Sequence, residues 1–401
     1  MKNRNIKIIL LVTVIFLLPF LSWSYWYIED AKELNVLIID KTVLNTSVQE
    51  HSSLIWILNN EKYGNKKLEL LEPAKDYYGF FPDDEGGYEI NDFNYFSKDE
   101  IDSLSKSYDM VYYTDLYGIY KAEWYEVYPH VAPKEYNKIP ATERSPLIYG
   151  GLTKKELNLL VKMKDQKKLI ITEFNIIASP TRYNIRKKFE REFGVKWSNW
   201  VGRYFASLDT TKNKEIPRWL KDNYLEQNNN NWPFTKSGIV FVRNDDRIVI
   251  LENETDLEVE VPIIYTPRLQ QDIYNLPNEM KYPFWFDIVY ADEMDMLISY
   301  YKIHSNHRGD STLTANGIPN AFPAVLQSKG NYPFYYFAGD FADNPVSMAY
   351  SKFKKSNWIS DFTYKSTTEE RNSFFWDYYR PLIATILDNY YSSINRNKDA
   401  R

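Results

Sequence analysis

The segment LNVLIID, residues 34 to 40, is apolar throughout except for Asn35 and the closing Asp40. A run of this kind is typical of a strand that is buried on both faces of a sheet. Ser47-Val48-Gln49-Glu50, which follows it, is a capping-box pattern that leads into apolar residues at helical spacing. A buried strand followed by a capped helix is the repeating unit of a parallel sheet covered by helices.

The same order of elements recurs along the chain. Ser97-Lys98-Asp99-Glu100 predicts the start of a helix, and the strand Met110-Val111-Tyr112-Tyr113 follows it. Thr153-Lys154-Lys155-Glu156 predicts a second capped helix, followed by the strand Leu169-Ile170-Ile171. A further strand opens the segment FYYFAGDFADNP at residues 334 to 345. The sequence therefore predicts an α/β fold with a mostly parallel, Rossmann-like sheet and helices on both faces.

Between residues 215 and 310 short β runs replace this alternation. Segments 239–242 and 248–251 flank a turn and predict a hairpin, and segment 258–264 can extend it into a meander. Segment 285–303 suggests a second hairpin. We interpret the region as an antiparallel β insertion in the α/β domain.

The amino terminus has the composition of a membrane anchor. Lys2, Arg4 and Lys7 precede an uncharged stretch over residues 8–28, which is about the length that spans a hydrocarbon core. The basic leading side predicts a cytoplasmic amino terminus and an extracytoplasmic globular part. The alternative is a cleaved signal peptide. We expect a single N-terminal transmembrane helix, and thus a single-pass protein of the cell membrane.

These patterns divide the chain into five predicted segments. They are a cytoplasmic tail at 1–7, a transmembrane anchor at 8–28, an α/β domain at 29–214, the antiparallel insertion at 215–310, and a completion of the α/β domain at 311–401. The last segment contains a predicted C-terminal helix over 374–391, capped by Thr367-Thr368-Glu369-Glu370.

The composition excludes several classes of function. The 49 basic and 54 acidic residues give a net charge of -5 with no basic block, so we expect no nucleic-acid partner. The chain has no cysteine, which excludes disulfides, thiolate metal sites and a cysteine nucleophile. Aromatic residues make up 17% of the chain, and they can fill a core or stack on sugar rings. The candidates for stacking are Trp197, Trp200, Tyr204 and Trp285.

Carboxylates follow four of the predicted parallel strands, namely Asp40, Asp115, Glu173 and Asp340. Ligands of open α/β sheets bind beyond the carboxyl ends of the strands, so we expect these side chains to share one crevice. Glu50 and His51, at the start of the first helix, would stand over the same edge.

Several carboxylates in one crevice raise each other's pKa, which allows separate acid and base roles and is common in sugar chemistry. We predict Asp340 and Glu173 as a catalytic acid/base pair. The predicted ligand-binding residues are Asp40, Asp115, Glu50, His51, Arg203 and Asp343. The same acids could instead bind a divalent cation such as Ca²⁺ or Mg²⁺, or simply cap the turns that follow the strands.

Two stretches carry a resemblance to a known family. YDMVYYTD at 108–115 and YGGLTKKELNLLVKMKDQKKLIITEFN at 149–175 resemble the class I glutamine amidotransferase-like fold. The similarity is closer to its trehalose-utilisation-like and β-galactosidase middle-domain branches, and it covers the first strand and residues 108–194. The catalytic cysteine of true amidotransferases is absent, so the resemblance implies the fold without that activity. Such branches often accompany carbohydrate metabolism, which is an analogy at the level of the fold.

Three functional hypotheses follow from these features. The first is a membrane-anchored, extracytoplasmic protein that binds or processes cell-envelope or exported polysaccharide. The second is a non-catalytic scaffold or assembly subunit of an envelope or polysaccharide export complex. The third is a Ca²⁺-dependent adhesive module. No cofactor is expected, although a divalent cation is possible.

Overall fold

The computed structural model of the protein describes residues 17–134, 145–291, 297–354, 364 and 367–399. The strands are β1 (Lys32–Glu33), β2 (Val36–Asp40), β3 (Tyr63–Gly64), β4 (Tyr78–Pro82), β5 (Tyr88–Asn91), β6 (Met110–Tyr113), β7 (Ile119–Tyr120), β8 (Leu147–Tyr149), β9 (Leu169–Thr172), β10 (Val195–Phe205), β11 (Gly238–Arg243), β12 (Ile248–Glu252), β13 (Ile263–Tyr265), β14 (Glu279–Lys281), β15 (Phe286–Ala291), β16 (Leu297–Lys302), β17 (Ala321–Gln327) and β18 (Phe334–Phe337). The helices are α1 (17–28), α2 (Gln49–Asn60), α3 (Lys98–Ser107), α4 (Lys121–Val127), α5 (Lys154–Asp165), α6 (Tyr183–Phe193), α7 (Arg218–Gln227), α8 (Arg268–Tyr274), α9 (His307–Ala315), α10 (Arg371–Phe374) and α11 (Arg380–Asp399).

Five parallel strands form the centre of a ten-stranded sheet, in the order β18-β9-β6-β2-β4. Every residue of β18, β9, β6 and β2 is buried, because helices and loops cover the sheet, and this explains their continuously apolar sequences. Gly79 of β4 has φ +142, and a Cβ there would lie 1.5 Å from the Asp40 carbonyl oxygen. The close approach of β4 to β2 therefore requires glycine.

The large sheet is mixed, so the α/β class is confirmed and the mostly parallel sheet is wrong. Beyond β18 it continues antiparallel through β17, β16, β13 and β14, and β5 pairs antiparallel with β4 at the other edge. These five antiparallel pairings outnumber the four parallel ones. The antiparallel strands at both edges are short, and their sequences do not specify which strand each of them pairs with.

A second sheet has four antiparallel strands in the order β12-β11-β10-β15. The predicted hairpin of β11 and β12 lies in it. Segment 258–264 does not extend this hairpin, since β13 pairs with β14 and β16 in the large sheet. β15 and β16, which were expected to form a second hairpin, belong to different sheets. The 11-residue β10 supplies the centre of the small sheet from outside the predicted insertion.

Two of the predicted helix caps form as capping boxes, at Ser97 with Glu100 and at Thr153 with Glu156. The predicted box at Ser47 does not form. α2 instead begins after Val48, which has φ 46 and no side-chain cap, while the Ser47 hydroxyl donates to Asn45 Oδ1 over 2.5 Å. The Ser47 hydroxyl is therefore hydrogen-bonded to Asn45 and does not cap the helix.

The C-terminal helix begins slightly earlier than expected, and it is interrupted. The Glu370 carboxylate caps α10 by accepting from the backbone N–H groups of Asn372 and Ser373. One π-helical turn at Phe375–Tyr379 then joins α10 to α11. The extra residue in this turn brings buried aromatic side chains onto the sheet, including Phe375 and Tyr379.

The predicted membrane anchor is contradicted. Among the described residues, no helix has both the length and the apolar character needed to cross a membrane. The described part of this segment is the helix at 17–28. Its last turn packs on the domain, where the Trp26 indole N–H donates to the Asn59 carbonyl over 3.1 Å. The single-pass localisation that depended on the anchor is contradicted with it; residues 8–16 of the predicted span lie outside the described residues.

Candidate functional site

The carboxyl ends of the parallel strands lie side by side. Tyr336 of β18 and Tyr113 of β6 both pair with Thr172 of β9, and Ile39 of β2 pairs with Tyr113. The acids predicted from the sequence follow these paired residues by one to four positions, at Asp40, Asp115, Glu173 and Asp340. Since neighbouring strands are about 4.8 Å apart, the structure brings the four acids to one edge of the sheet.

Asp40 and His51 form a buried pair behind this edge. Asp40 Oδ2 lies 2.7 Å from His51 Nδ1, and both side chains are fully buried. The other ring nitrogen of His51 lies 2.8 Å from the Pro73 carbonyl, and Asp40 Oδ1 accepts from Thr42 N and Oγ1, each over 3.0 Å. The polar atoms of this pair are thus engaged within the fold, which fixes the start of α2 against β2.

Glu173 is also fully buried, in a network of hydroxyl groups. Its Oε1 accepts from the Tyr112 hydroxyl, which lies 2.8 Å from the Tyr379 hydroxyl, and its Oε2 accepts from Ala342 N over 3.3 Å. Burial, followed by the charge of Asp340, raises the Glu173 pKa well above its usual range. Its position connects β9 to the C-terminal region, and its role as half of a catalytic pair stays a prediction.

Asp340 and Asp343 share Arg371 at the carboxyl end of β18. Arg371 Nη2 lies 3.3 Å from Asp340 Oδ2 and 3.2 Å from Asp343 Oδ2, and the guanidinium stacks on the Phe284 ring at 3.8 Å. Burial and the neighbouring Asp343 raise the pKa of Asp340 to about 7. Asp340 is also the charged group that most raises the pKa of both Glu173 and Asp115, after burial. It is therefore the electrostatic centre of the edge.

Glu50 lies on the same side of the site as Asp343. Its neighbour Gln49 donates to Asp343 Oδ1 over 2.6 Å. Glu50 Oε2 is buried without a hydrogen-bond partner among the described residues. Burial, and then the charge of Asp40, raises the Glu50 pKa well above its usual range.

A cavity of about 810 Å³ opens beside these acids, between the strand ends, β10, β11 and the start of α7. Asp115 and Arg203 are the predicted site residues that line it. The other predicted residues, Asp40, Glu50, His51, Glu173, Asp340 and Asp343, are not part of its lining. Asp340 nevertheless adjoins it, since its backbone N–H donates to the carbonyl of the lining residue Trp285 over 3.2 Å.

Asp115 presents a carboxyl group to this cavity. Its Oδ1 accepts from Tyr117 N over 2.6 Å and from Asn175 Nδ2 over 3.0 Å. Burial, followed by the charge of Asp340, raises the Asp115 pKa well above its usual range. A protonated carboxyl group of this kind can donate a hydrogen bond to a ligand oxygen.

Aromatic rings form one wall of the cavity. Trp285 is half-buried and lies nearly parallel to Phe174, with ring centroids 6.4 Å apart. The Arg203 guanidinium lies 5.8 Å from the Trp285 ring and donates to Glu215 over 2.6 Å. Of the other predicted stacking residues, Trp197 lines the cavity but is only 7% exposed, and Trp200 and Tyr204 are core residues. Of the four predicted stacking residues, Trp285 is therefore the most exposed one that lines the cavity.

Sequence reasoning missed three residues that hold the site together. Asn175 was not among the predicted site residues, yet it lines the cavity and its side-chain amide donates to Asp115. Lys41 and Glu156 form a buried ion pair with N–O distances of 2.8 and 2.9 Å. The signal for Lys41 was its position directly after Asp40 in a buried strand, where an unpaired lysine is costly.

A divalent cation was the alternative to the prediction that the protein binds no cofactor. Within the part of the chain that the structure describes, no group of three or more His, Asp or Glu side chains could hold a metal ion. The acids at the sheet edge are bonded instead to Arg371, His51 and hydroxyl or amide groups.

Asp287 of β15 should make stability depend on pH. Its side chain is fully buried, and burial raises its pKa to about 7, above the value near 3.9 of an unfolded chain. Its contribution to stability is therefore complete below pH 4 and is lost as the pH rises through 7, by up to about 4 kcal/mol. We expect Asp287→Asn to gain stability relative to the wild type between pH 4 and pH 8, as measured by urea unfolding. A difference that does not vary with pH would contradict this.

Two solved structures are similar to this chain at low sequence identity. No protein-family model and no curated protein matches the chain. Among solved structures, a protein of Bacteroides uniformis described as ThuA-like is similar over 90% of this chain and 93% of its own, with 10% identity and a TM-score of 0.36. A ThuA-like protein of Parabacteroides merdae covers 77% of this chain and 79% of its own, with 11% identity and a TM-score of 0.32. Both of these similar structures are described as ThuA-like.

Proposed function

We propose that the protein binds a saccharide in the cavity at the carboxyl edge of the parallel strands. The observation that carries this proposal is the grouping of the Trp285 ring face, the Asp115 carboxyl group and the Arg203 guanidinium on one cavity. An aromatic face can cover the apolar side of a sugar ring, while convergent polar groups bind its hydroxyls.

The size and charge of the cavity support a polar ligand of small-oligosaccharide size. A volume of about 810 Å³ lies in the upper part of the usual range for small-molecule sites. Three glutamate carboxylates, the Asp115 carboxyl group and five cationic side chains line it, so neither sign is in large excess. A strongly charged ligand would need an excess of one sign, and a polyhydroxylated ligand does not. Fragments of cell-envelope and exported polysaccharides, the class suggested by the sequence, are the ligands to test first.

Binding is better supported than processing. Asp115 could serve as a proton donor, but the predicted partners Asp340 and Glu173 do not line the cavity, and both Glu173 oxygens accept hydrogen bonds within the fold. The side chains of Glu173, Asp40 and His51 are hydrogen-bonded within the fold, which favours the scaffold hypothesis as the second candidate. In that case the acids hold the fold together and the cavity has no sugar ligand.

Trp285→Ala tests the proposal directly. The protein would first be screened on an array of neutral and acidic oligosaccharides, and the best binder measured by calorimetry. We expect the variant to lose at least tenfold in affinity, because removing a stacked indole costs about 1.4 kcal/mol or more.

Trp232→Ala is the matched control. Trp232 packs on Tyr224 and Phe234, and it does not line the cavity. Its replacement should lower the melting temperature and leave the affinity unchanged. Equal loss of affinity in both variants would assign the effect to stability, and no binding on the array would overturn the proposal in favour of the scaffold.

A further inference from the structure

Asp287 is a buried residue of the four-stranded sheet whose hydrogen bonds lead towards the cavity. It lies on β15, and its backbone N–H donates to Ala338 O over 3.0 Å, beside the end of β18. Its Oδ2 accepts from the Tyr336 hydroxyl over 2.6 Å and from the Asn175 backbone N–H over 3.0 Å. Its Oδ1 has no hydrogen-bond partner among the described residues. A buried carboxylate with one free oxygen is costly, which calls for a role beyond packing.

Asn175 is the residue through which Asp287 can reach the cavity. It has φ 62, in the left-handed region that non-glycine residues seldom adopt, so the turn needs outside support. The hydrogen bond from its backbone N–H to Asp287 supplies that support. Its side-chain amide then points to Asp115 and donates to Oδ1 over 3.0 Å. Two hydrogen bonds therefore join Asp287 to the carboxyl group that lines the cavity.

We propose that Asp287 is a positioning residue of the saccharide site: it fixes the turn at Asn175, and Asn175 holds the Asp115 carboxyl group in place in the cavity. The inference deepens the proposed function, on which it depends for the nature of the ligand. The arrangement of Asp115 itself can be measured without any ligand. Failure of this inference is thus distinguishable from failure of saccharide binding.

The charged and titratable groups around the two acids determine how the test is designed. Asp340 and Asp287 raise the pKa of Asp115, whereas the bonds from Tyr117 N and Asn175 lower it. Tyr336 and Asn175 donate to Asp287, and Tyr301 also lies within its electrostatic reach. Asp287→Asn removes the charge but keeps an oxygen that can accept from Asn175 N. Asp287→Ala removes both the charge and the acceptor, so the difference between the two variants isolates the hydrogen bond.

The experiment is a ¹³C NMR titration of the Asp115 carboxyl group in the full chain labelled at aspartate, with Asp115→Asn assigning the signal. We expect Asp115 to titrate at a higher pH in Asp287→Ala than in Asp287→Asn, because the alanine variant also loses the bond from Asn175. In an Asn175→Ala background the two variants should titrate alike, since the connecting residue is gone. The inference would be overturned if the two variants still differed in the Asp115 titration midpoint in the Asn175→Ala background. It would also be overturned if they did not differ when Asn175 is present.

A second measurement decides the question if Asp287→Ala does not fold. In the wild type the Asn175 backbone amide should titrate with Asp287, near pH 7, and this titration should be lost in Asp287→Asn. The inference predicts that the side-chain amide of Asn175 follows with the same midpoint. A side-chain amide that does not move while the backbone amide titrates would show that Asp287 does not act on Asp115 through Asn175.

Discussion

Replacing Glu156 by glutamine is expected to lower the free energy of unfolding by about 3–5 kcal/mol, the usual effect of breaking a buried ion pair. Lys41 is fully buried and Glu156 is 1% exposed, so no water can compensate the lysine charge. Lys41 also donates to the Gly151 carbonyl over 2.9 Å and lies 4.8 Å from the Tyr149 ring, which are weaker partners than a carboxylate. Glutamine would keep an acceptor for Thr153 N but would leave the ammonium group without a counter-charge. Chemical denaturation at pH 7 measures the change.

Two controls separate the ion pair from general damage. Glu72→Gln removes a carboxylate whose pair with Lys75 is exposed, and it should change stability by less than about 1 kcal/mol. Adding Lys41→Met to Glu156→Gln should recover most of the loss, because no unpaired charge then stays buried. A double variant as unstable as the single one would show that the damage comes from packing rather than from charge.

Arg371→Met should destabilise the protein by about 2–4 kcal/mol at pH 8, where it leaves two neighbouring carboxylates without their cation. Arg371 contacts Asp340, Asp343 and the face of Phe284, and it joins the start of α10 to the end of β18. The loss should be smaller at low pH, because Asp340 has a pKa of about 7 with the arginine present and a higher pKa without it, so that in both proteins it is protonated well below pH 7 and the repulsion disappears. Thermal unfolding at pH 5 and pH 8 would measure this change.

Charge repair supplies the control for Arg371. Asp340→Asn in the Arg371→Met background should recover more than half of the loss at pH 8 and little at pH 5. If the double variant is no more stable than Arg371→Met at pH 8, the arginine acts mainly through its packing on Phe284.

Local patterns were enough to predict four of the five parallel strands at the centre of the fold, all except β4. The strands ending at Asp40, Tyr113 and Thr172 are buried on both faces, and burial on both faces requires the apolar runs that their sequences show. The boxes at Ser97 and Thr153 formed because both partners lie within one helical turn. The box at Ser47 failed because Asn45, two residues earlier, offered a competing acceptor.

What could not be predicted depends on long-range pairing. β10 and β15 pair across about 90 residues, and nothing local in either strand specifies the partner. The amino-terminal span failed for a similar reason, since apolar composition alone does not show that the helix at 17–28 contacts its own domain through Trp26. The structure brings the four strand-end acids to one edge, but of these only Asp115 lines the cavity, while Glu173 is fully buried, and no local pattern in the sequence distinguishes the two.

The pairing of β18 with β9 has a consequence for how the chain is made. Phe334 lies opposite Ile170, so 164 residues (334 minus 170) separate the two strands in the sequence. At a synthesis rate of about 5–20 residues per second, the free edge of β9 waits roughly 10–30 s on the ribosome before its partner emerges. During that time a strand with three apolar residues out of four is available to other nascent chains, and such edges are sites of aggregation. The yield of folded protein is therefore expected to depend on translation speed and on chaperones that bind the first half of the chain.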